Sequence, residues 1–317
     1  MSAAPVVTIA GGVGAAKFLR GLVAARGGAA ASDVAVVNVA DDFVLHGLSI
    51  SPDLDTCTYT LAGDVNPETG WGRRGETWTV MDELAELGGE TWFRLGDRDL
   101  AVHLYRTHRR GQGATLTEIT AELTAAIGVP TRLLPVSDDP IETRVVVADE
   151  GEIGFQDYFV GRQHGVVVEE LRFAGAERAV PGPEILSTIA SADAVVIAPS
   201  NPLVSVGPVL AVPGVRSAIV DRREQTVAVS PIVGGAALKG PADRMLRELG
   251  HEASVVGVAR LYRDLAATLV IDDADAALAA DVEAAGMRCV VTNTIMSDVE
   301  VTTALARTCL DAAGGNS

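Results

Sequence analysis

Cysteine is scarce: the 317 residues contain only Cys57, Cys289 and Cys309, each in a separate segment. Without a CxxC pair or an even-numbered framework, neither a disulfide scaffold nor structural zinc is expected, and a reducing cytoplasm fits. Positive charge is also short, with 25 basic residues against 42 acidic ones and a net charge of −17. Such a field repels nucleic acid and anionic membranes, so neither is expected as a partner. No apolar run reaches membrane-spanning length, and the amino terminus has no basic stretch followed by an apolar one. Lysine is the rarest cation, present only as Lys17 and Lys239, and both lie in glycine-rich segments.

What is plentiful is apolar residue content, 48%, with 33 glycines and 14 prolines, a composition that builds a large globular core. Val6 to Ile9 reads as a strand that passes through AGGVGAAKFLRGL into a helical pattern. A second strand, VAVVNVADD from Val34, ends in Asp41 and Asp42 and completes an opening βαβ unit. Residues 56–128 offer helices with few strand signals and read as a helical insertion, with a capping box at Thr115 and Glu118. The runs TRLLP, TRVVVADEG and EIGFQDYFV suggest short strands or a small β extension. Beyond them, AVVIAPS, TVAVSPIVGG and RCVVTNT alternate with helical patterns. Apolar strands separated by helices predict one α/β domain over 1–317, a Rossmann-like parallel sheet with helices on both faces.

The first glycine loop joins a strand to a helix, where amide groups and the helix start favour phosphate. Gly12 and Gly14 allow close approach and Lys17 adds charge, but no glycine precedes Lys17 and Phe18 replaces the Ser or Thr of a Walker A loop. Asp41 and Asp42 at a strand end, with Asp53 and Asp55 in SPDLDT read as a second strand-end loop, form a carboxylate cluster suited to a divalent cation or a base. For any one of them alone, capping or an Asx turn is the commoner role. WFRLGDRDLAVHLYRT concentrates Arg94, Asp97, Arg98, Asp99, His103 and Arg106, read as a loop entering a helix beside a pocket, with His103 by itself taken as structural. Ser200 and Asn201, and Ser230 with Lys239, occupy further loops after apolar runs, which argues for one crevice.

In this order, GGVGAAKFLRGL, ISPDLDTCTYTLAG, LGDRDLAVHLYRT, LPVSDDPIETRV, APSNPLVSVGP, SPIVGGAALKGPADRM and NTIMSD resemble the 2-phospho-L-lactate transferase family, called CofD in methanogens and FbiA in actinobacteria. The resemblance implies a Rossmann-like core, magnesium dependence and a homodimer. It implies that a ribityl hydroxyl of the deazaflavin Fo attacks the phosphorus of a guanosine-diphosphate-linked three-carbon acid, releasing GMP in coenzyme F(420) biosynthesis. The acid is lactate in methanogens and enolpyruvate in actinobacteria, and the arginine-rich, alanine-rich composition leans to the second. On this reading Asp41, Asp42 and Asp55 bind metal, and Asp55, Asp41 and Asp53 carry catalysis. Fo lies near Asp55 and Arg94, in the segment of Asp97 and Arg98. Gly12, Gly14 and Lys17 face phosphates, Ser200 and Asn201 the nucleotide, and Ser230 and Lys239 belong to the substrate site. Val13 departs from the usual GGTG form and removes a hydroxyl. Two rivals compete: a non-catalytic nucleotide-sugar-binding regulator of the gluconeogenesis-factor group, and a nicotinamide-dependent oxidoreductase. The PDLDT and GDRD segments count against the first, and Lys17 against the second.

Overall fold

Seven apolar stretches form one parallel sheet in a computed structural model that describes residues 4–148 and 150–314. They are β1 (Val6–Ala10), β2 (Val34–Val37), β3 (Arg132–Pro135), β4 (Ala194–Ile197), β5 (Thr226–Val229), β6 (Thr268–Ile271) and β7 (Arg288–Val291). Their spatial order is β7-β6-β5-β4-β1-β2-β3, and every neighbouring pair is parallel. All residues of β1, β2, β4, β5 and β6 are buried, because helices cover both faces of the sheet. This is why these strands read as continuous apolar runs and not as alternating ones. Chain order reverses between β1 and β4, and at such a switch point a crevice opens beyond the strand ends.

Helix α1 (Gly12–Arg26) leaves β1 through Gly11 and packs on the final helix, Val299–Ala312. The approach is close, since a Cβ on Gly21 would lie 2.5 Å from Thr302 backbone. Gly14 meets a tighter limit: a Cβ there would lie 2.2 Å from the carbonyl oxygen of Pro199, just past β4. Gly14→Ala should therefore push apart the turns after β1 and β4 and cost about 1–3 kcal/mol, as overpacking does. A lowered denaturant midpoint with an unchanged slope would register this, and an unchanged midpoint would contradict it.

Residues 52–127 supply the helices α2 (Pro52–Leu61), α3 (Thr79–Glu86), α4 (Asp97–Gly111) and α5 (Leu116–Ile127). The capping box forms at α5 as the sequence suggests. Two local expectations are corrected. SPDLDT is the start of α2, not a strand-end loop: Pro52 needs no amide partner in the first turn, and Asp53 and Asp55 complement the positive end of the helix. TRLLP becomes β3 at the edge of the main sheet. The β extension is a separate antiparallel sheet of Glu142–Val147, Gly151–Gly154 and Val168–Ala174. FQDYFV is not a strand, because Phe155 and Tyr158 turn into a cluster with Val145, Val168 and Met245, and Asp157–Gly161 coils into a wide helical turn. Packing overrides the β propensity of its aromatics. No helix of the described residues is long and apolar enough to cross a membrane.

Candidate active site

At the switch point the described residues enclose a cleft of about 290 Å³. Its floor is the glycine loop Gly11–Val13 and Asp41, just past the end of β2. The first turns of α2 add Asp53, Asp55, Thr56 and Tyr59, and α4 and the loop before it add Phe93, Arg94, Asp99 and His103. The opposite wall comes from Phe155, Gln156 and Phe159 of the extension and from Asn201, Gly240 and Pro241. Phe155 and Phe159 stack at 5.5 Å. The mixture of apolar surface with a few converging charges is that of a small-molecule site.

Three carboxylates in the wall are almost wholly buried: Asp41, Asp53 and Asp55. Burial, and then the neighbouring negative charge of Asp53, hold the Asp41 carboxyl well above the ordinary carboxylate range. Burial pushes Asp53 up to about 6, partly offset by Asn38, whose Nδ2 donates to Asp53 Oδ2 at 3.0 Å. The groups that draw these carboxyls back down are neutral, Thr143 and Asn38 at Asp41 and Asn38 with the Gly12 amide at Asp53, and among the described residues Asp41 Oδ1 is buried without a hydrogen-bond partner. Two adjacent carboxylates with an orphaned oxygen and no cation are a donor set that fits a hard divalent ion such as Mg²⁺. Asp55 is different, because its Oδ1 is ion-paired with the buried guanidinium of Arg106, while Oδ2 has no partner.

Asp55, Asp99 and His103 also lie close together. Separate ring nitrogens of His103 face the two acids, Nδ1 at 3.7 Å from Asp55 Oδ2 and Nε2 at 3.4 Å from Asp99 Oδ2. The imidazole stands between the carboxylates without a hydrogen bond to either, and one donor atom from each of the three residues lies within 4.8 Å of the others.

Of the residues singled out from the sequence, Gly12, Asp41, Asp53, Asp55, Arg94 and Asn201 lie in the cleft wall. Arg94 also lies over the Trp78 ring at 4.6 Å. The others are placed around it. Gly14 packs on Pro199, and Ser200 Oγ donates to the Gly11 carbonyl at 2.9 Å, bracing the glycine loop from the end of β4. Lys17 and Lys239, 222 positions apart in sequence (239 − 17), come together: burial, then the Lys239 ammonium, lower the Lys17 pKa. Lys239 Nζ donates to the Thr69 carbonyl at 3.4 Å, beside Gly240 of the wall. Asp42 turns away to accept from Ser51 Oγ at 2.6 Å, and burial lifts it to about 7. Asp97 accepts from Thr77 Oγ1 and the amides of Thr79 and Val80, bracing the start of α3. Arg98 pairs with Asp64, and Ser230 closes a local turn with Ile232.

Tyr59, Phe155, Gln156 and Phe159 were not singled out from the sequence, and Asp99, His103 and Arg106 were named only within the charged segment beside a pocket, without a site role; Asp99 and His103 line the cleft. For α4 a signal existed: Asp99, His103 and Arg106 follow i, i+4, i+7 spacing, which puts them on one helix face. Gln156 carried none, because its place in the wall depends on how the extension docks.

The description "2-phospho-L-lactate transferase CofD" belongs to the family profile that matches residues 6–306. A phosphoenolpyruvate transferase of Streptomyces griseus is 46% identical over 314 residues, covering 97% of this chain and 98% of that protein. The protein of the same name from Mycolicibacterium smegmatis is 38% identical, with 98% of each chain covered. Among solved structures, protein BH3568 from Bacillus halodurans superposes with a TM-score of 0.64 at 18% identity, covering 97% of this chain and 99% of the other, which supports the shared fold.

Proposed function

We propose, from the premise that this chain belongs to the CofD family of 2-phospho-L-lactate transferases and is a transferase, that it moves a phosphoenolpyruvyl group from a GDP-linked donor to the deazaflavin Fo in coenzyme F(420) biosynthesis. The observation that carries this reading is the cleft itself, which combines a strand-to-helix glycine loop with cation-free carboxylates and aromatic walls. The enolpyruvyl donor is preferred over the lactyl one because the similar actinobacterial proteins carry the name phosphoenolpyruvate transferase.

Asp41 and Asp53 are the residues assigned to hold Mg²⁺, with Asp55 beside them. Bound there, Mg²⁺ would neutralise charge and align the phosphate for attack. The glycine loop at Gly12 and Val13 is assigned to the donor phosphates, the Gly12 amide also serving Asp53, and the neighbouring Lys17 and Lys239 ammoniums are assigned to the phosphate end. Arg94, Phe93 and Tyr59 receive the acceptor. As the ribityl oxygen bonds to phosphorus and the bond to the GMP oxygen breaks, Asp55 Oδ2 takes the hydroxyl proton. Arg106 pairs with the other oxygen of that carboxylate and orients it before the proton arrives.

The test is mass spectrometry after incubation with Fo, magnesium and each candidate donor. A product heavier than Fo by the enolpyruvyl phosphate group, with GMP released, is expected; donor binding without product would reject the transfer and favour a regulator. Chelator should abolish turnover and magnesium should restore it, because an acidic protein binding a diphosphate has to neutralise charge locally. Undiminished turnover in chelator would remove the metal from the reading. Lys17→Ala should raise the dissociation constant of the donor roughly tenfold, the scale of one lost charge contact, and leave Fo affinity unchanged. Isothermal titration with each ligand distinguishes this from a surface lysine with no ligand contact.

A further inference from the structure

Beneath the acceptor side of the cleft, α2 and α4 are joined by a chain of buried polar contacts. Tyr59 OH donates to Asp99 Oδ1 at 2.5 Å. Asp99 Oδ2 lies 3.4 Å from His103 Nε2, and Arg106 Nη1 lies 3.2 Å from His103 Nδ1. The same guanidinium pairs through Nη2 with Asp55 Oδ1 and reaches the Ser49 carbonyl from Nη1 at 3.2 Å. His103 is 1% exposed and Arg106 2% exposed, so water does not substitute for any missing partner.

Guanidinium nitrogens only donate, so the His103 nitrogen facing Arg106 must be the acceptor and carry no proton. The remaining N–H is then Nε2–H, directed at Asp99. This assignment gives the Arg106 contacts a donor and an acceptor and leaves two buried atoms without a hydrogen-bond partner, His103 Nε2, 3.4 Å from Asp99 Oδ2, and Asp55 Oδ2 in the cleft wall. A carboxylate held on one oxygen by a flexible arginine can rotate. Arginine has long rotatable bonds, and its fork is fixed only where further acceptors hold it. Here those acceptors are the Ser49 carbonyl and His103 Nδ1.

We infer that His103 is a positioning residue for the transfer: as an acceptor it fixes the plane of Arg106, and Arg106 in turn aims Asp55 Oδ2 at the acceptor hydroxyl. The inference rests on the proposed role of Asp55. Its effect belongs to the reacting geometry, because His103 reaches Asp55 through Arg106, its own Nδ1 standing 3.7 Å from Asp55 Oδ2, beyond hydrogen-bond distance. A misplacement of about 1 Å at a reacting group costs on the order of a hundredfold in rate.

Two conservative substitutions separate the faces of the ring. In His103→Asn the amide oxygen falls near the Nδ1 position and still accepts from Arg106, but the contact with Asp99 is lost. In His103→Gln the amide nitrogen reaches the Nε2 position and still faces Asp99, but the acceptor for Arg106 is lost. Thermal melting and steady-state kinetics for both substrates would be measured on the same preparations of wild type and both variants. The expected result is a kcat for His103→Gln lowered tenfold to a hundredfold, with KM for Fo and donor within about twofold of wild type. His103→Asn should keep kcat within about threefold. Equal losses in both variants, losses that follow only the fraction of folded protein, changes confined to KM, or wild-type kcat in His103→Gln would each overturn the inference. Failure of the proposed function is distinguishable, because wild type itself would then form no product.

Discussion

An Asp41→Asn protein is expected to be more stable than wild type in chelator and yet to turn over on the order of a hundredfold more slowly, or worse, with magnesium present. Asp41 is 6% exposed, its Oδ1 has no partner, and its neighbour Asp53 is also acidic, so ionising it in the metal-free fold is unfavourable. The sign follows from proton uptake. A carboxyl whose folded pKa is raised holds a proton in the native state at pH values where the unfolded chain has released it. Wild-type stability from this group is therefore highest near or below the unfolded value of 3.8 and falls as pH rises from there toward the raised folded pKa. The limiting slope is about 1.4 kcal/mol per pH unit. Asn cannot ionise, so the advantage of the variant should open above pH 4 and widen towards neutrality. Saturating magnesium should reverse the order, because the metal binds the native wild type and stabilises it by mass action while the variant has lost a ligand. Melting curves at pH 4.5 and 7.5, with chelator and with magnesium, check each part. A variant less stable than wild type in chelator at pH 7.5 would show that Asp41 has a cation partner in the metal-free protein.

Asp55→Asn should lose turnover to a similar extent, and here stability should move in the opposite direction. Asp55 is the counter-ion of Arg106, which is buried from water and fixed by Ser49 and His103. Removing one partner of such a pair leaves an uncompensated buried charge, typically a loss of about 3–5 kcal/mol. The nearby Asp42 carboxylate, which also attracts Arg106, should soften this loss. Replacing both partners, as in Asp55→Asn with Arg106→Met, should recover much of the stability and none of the turnover, since apolar replacement of a buried pair is often near neutral. Denaturant unfolding of the two single variants and the double variant gives the coupling, and product formation on the same samples gives the activity. Near-normal turnover by a folded Asp55→Asn protein would end its assignment as the proton acceptor. Unchanged stability would instead show that the ion pair with Arg106 is not a significant contributor.

These two aspartates show how far the sequence reaches. Both belong to a carboxylate cluster visible in ADD and PDLDT, and the parallel-sheet pattern places such residues near strand ends. Their opposed responses are not visible there. Asp41 and Asp42 are adjacent in sequence, yet one faces the cleft and Asp53 while the other hydrogen-bonds Ser51. Asp53 and Asp55 share a helical turn, yet one is near Asp41 and the other meets Arg106, 51 residues further along the chain.

The sequence by itself determined the class of fold, because unbroken apolar strands between helices have one stable arrangement, a parallel sheet covered on both faces. It determined the glycine loop as well, because the chain must turn from strand to helix there, and Gly12 takes a positive φ of 70°. Tertiary structure alone decided which charges meet. The contacts from Ser200 to Gly11 and from Gln156 to Asp41 span 189 and 115 residues. Neither has a local signature, because such partners are selected by strand order and by the docking of the extension against the crevice. Propensity and periodicity act over a few residues, whereas the ionisation of a buried carboxylate depends on every charge and dipole packed around it.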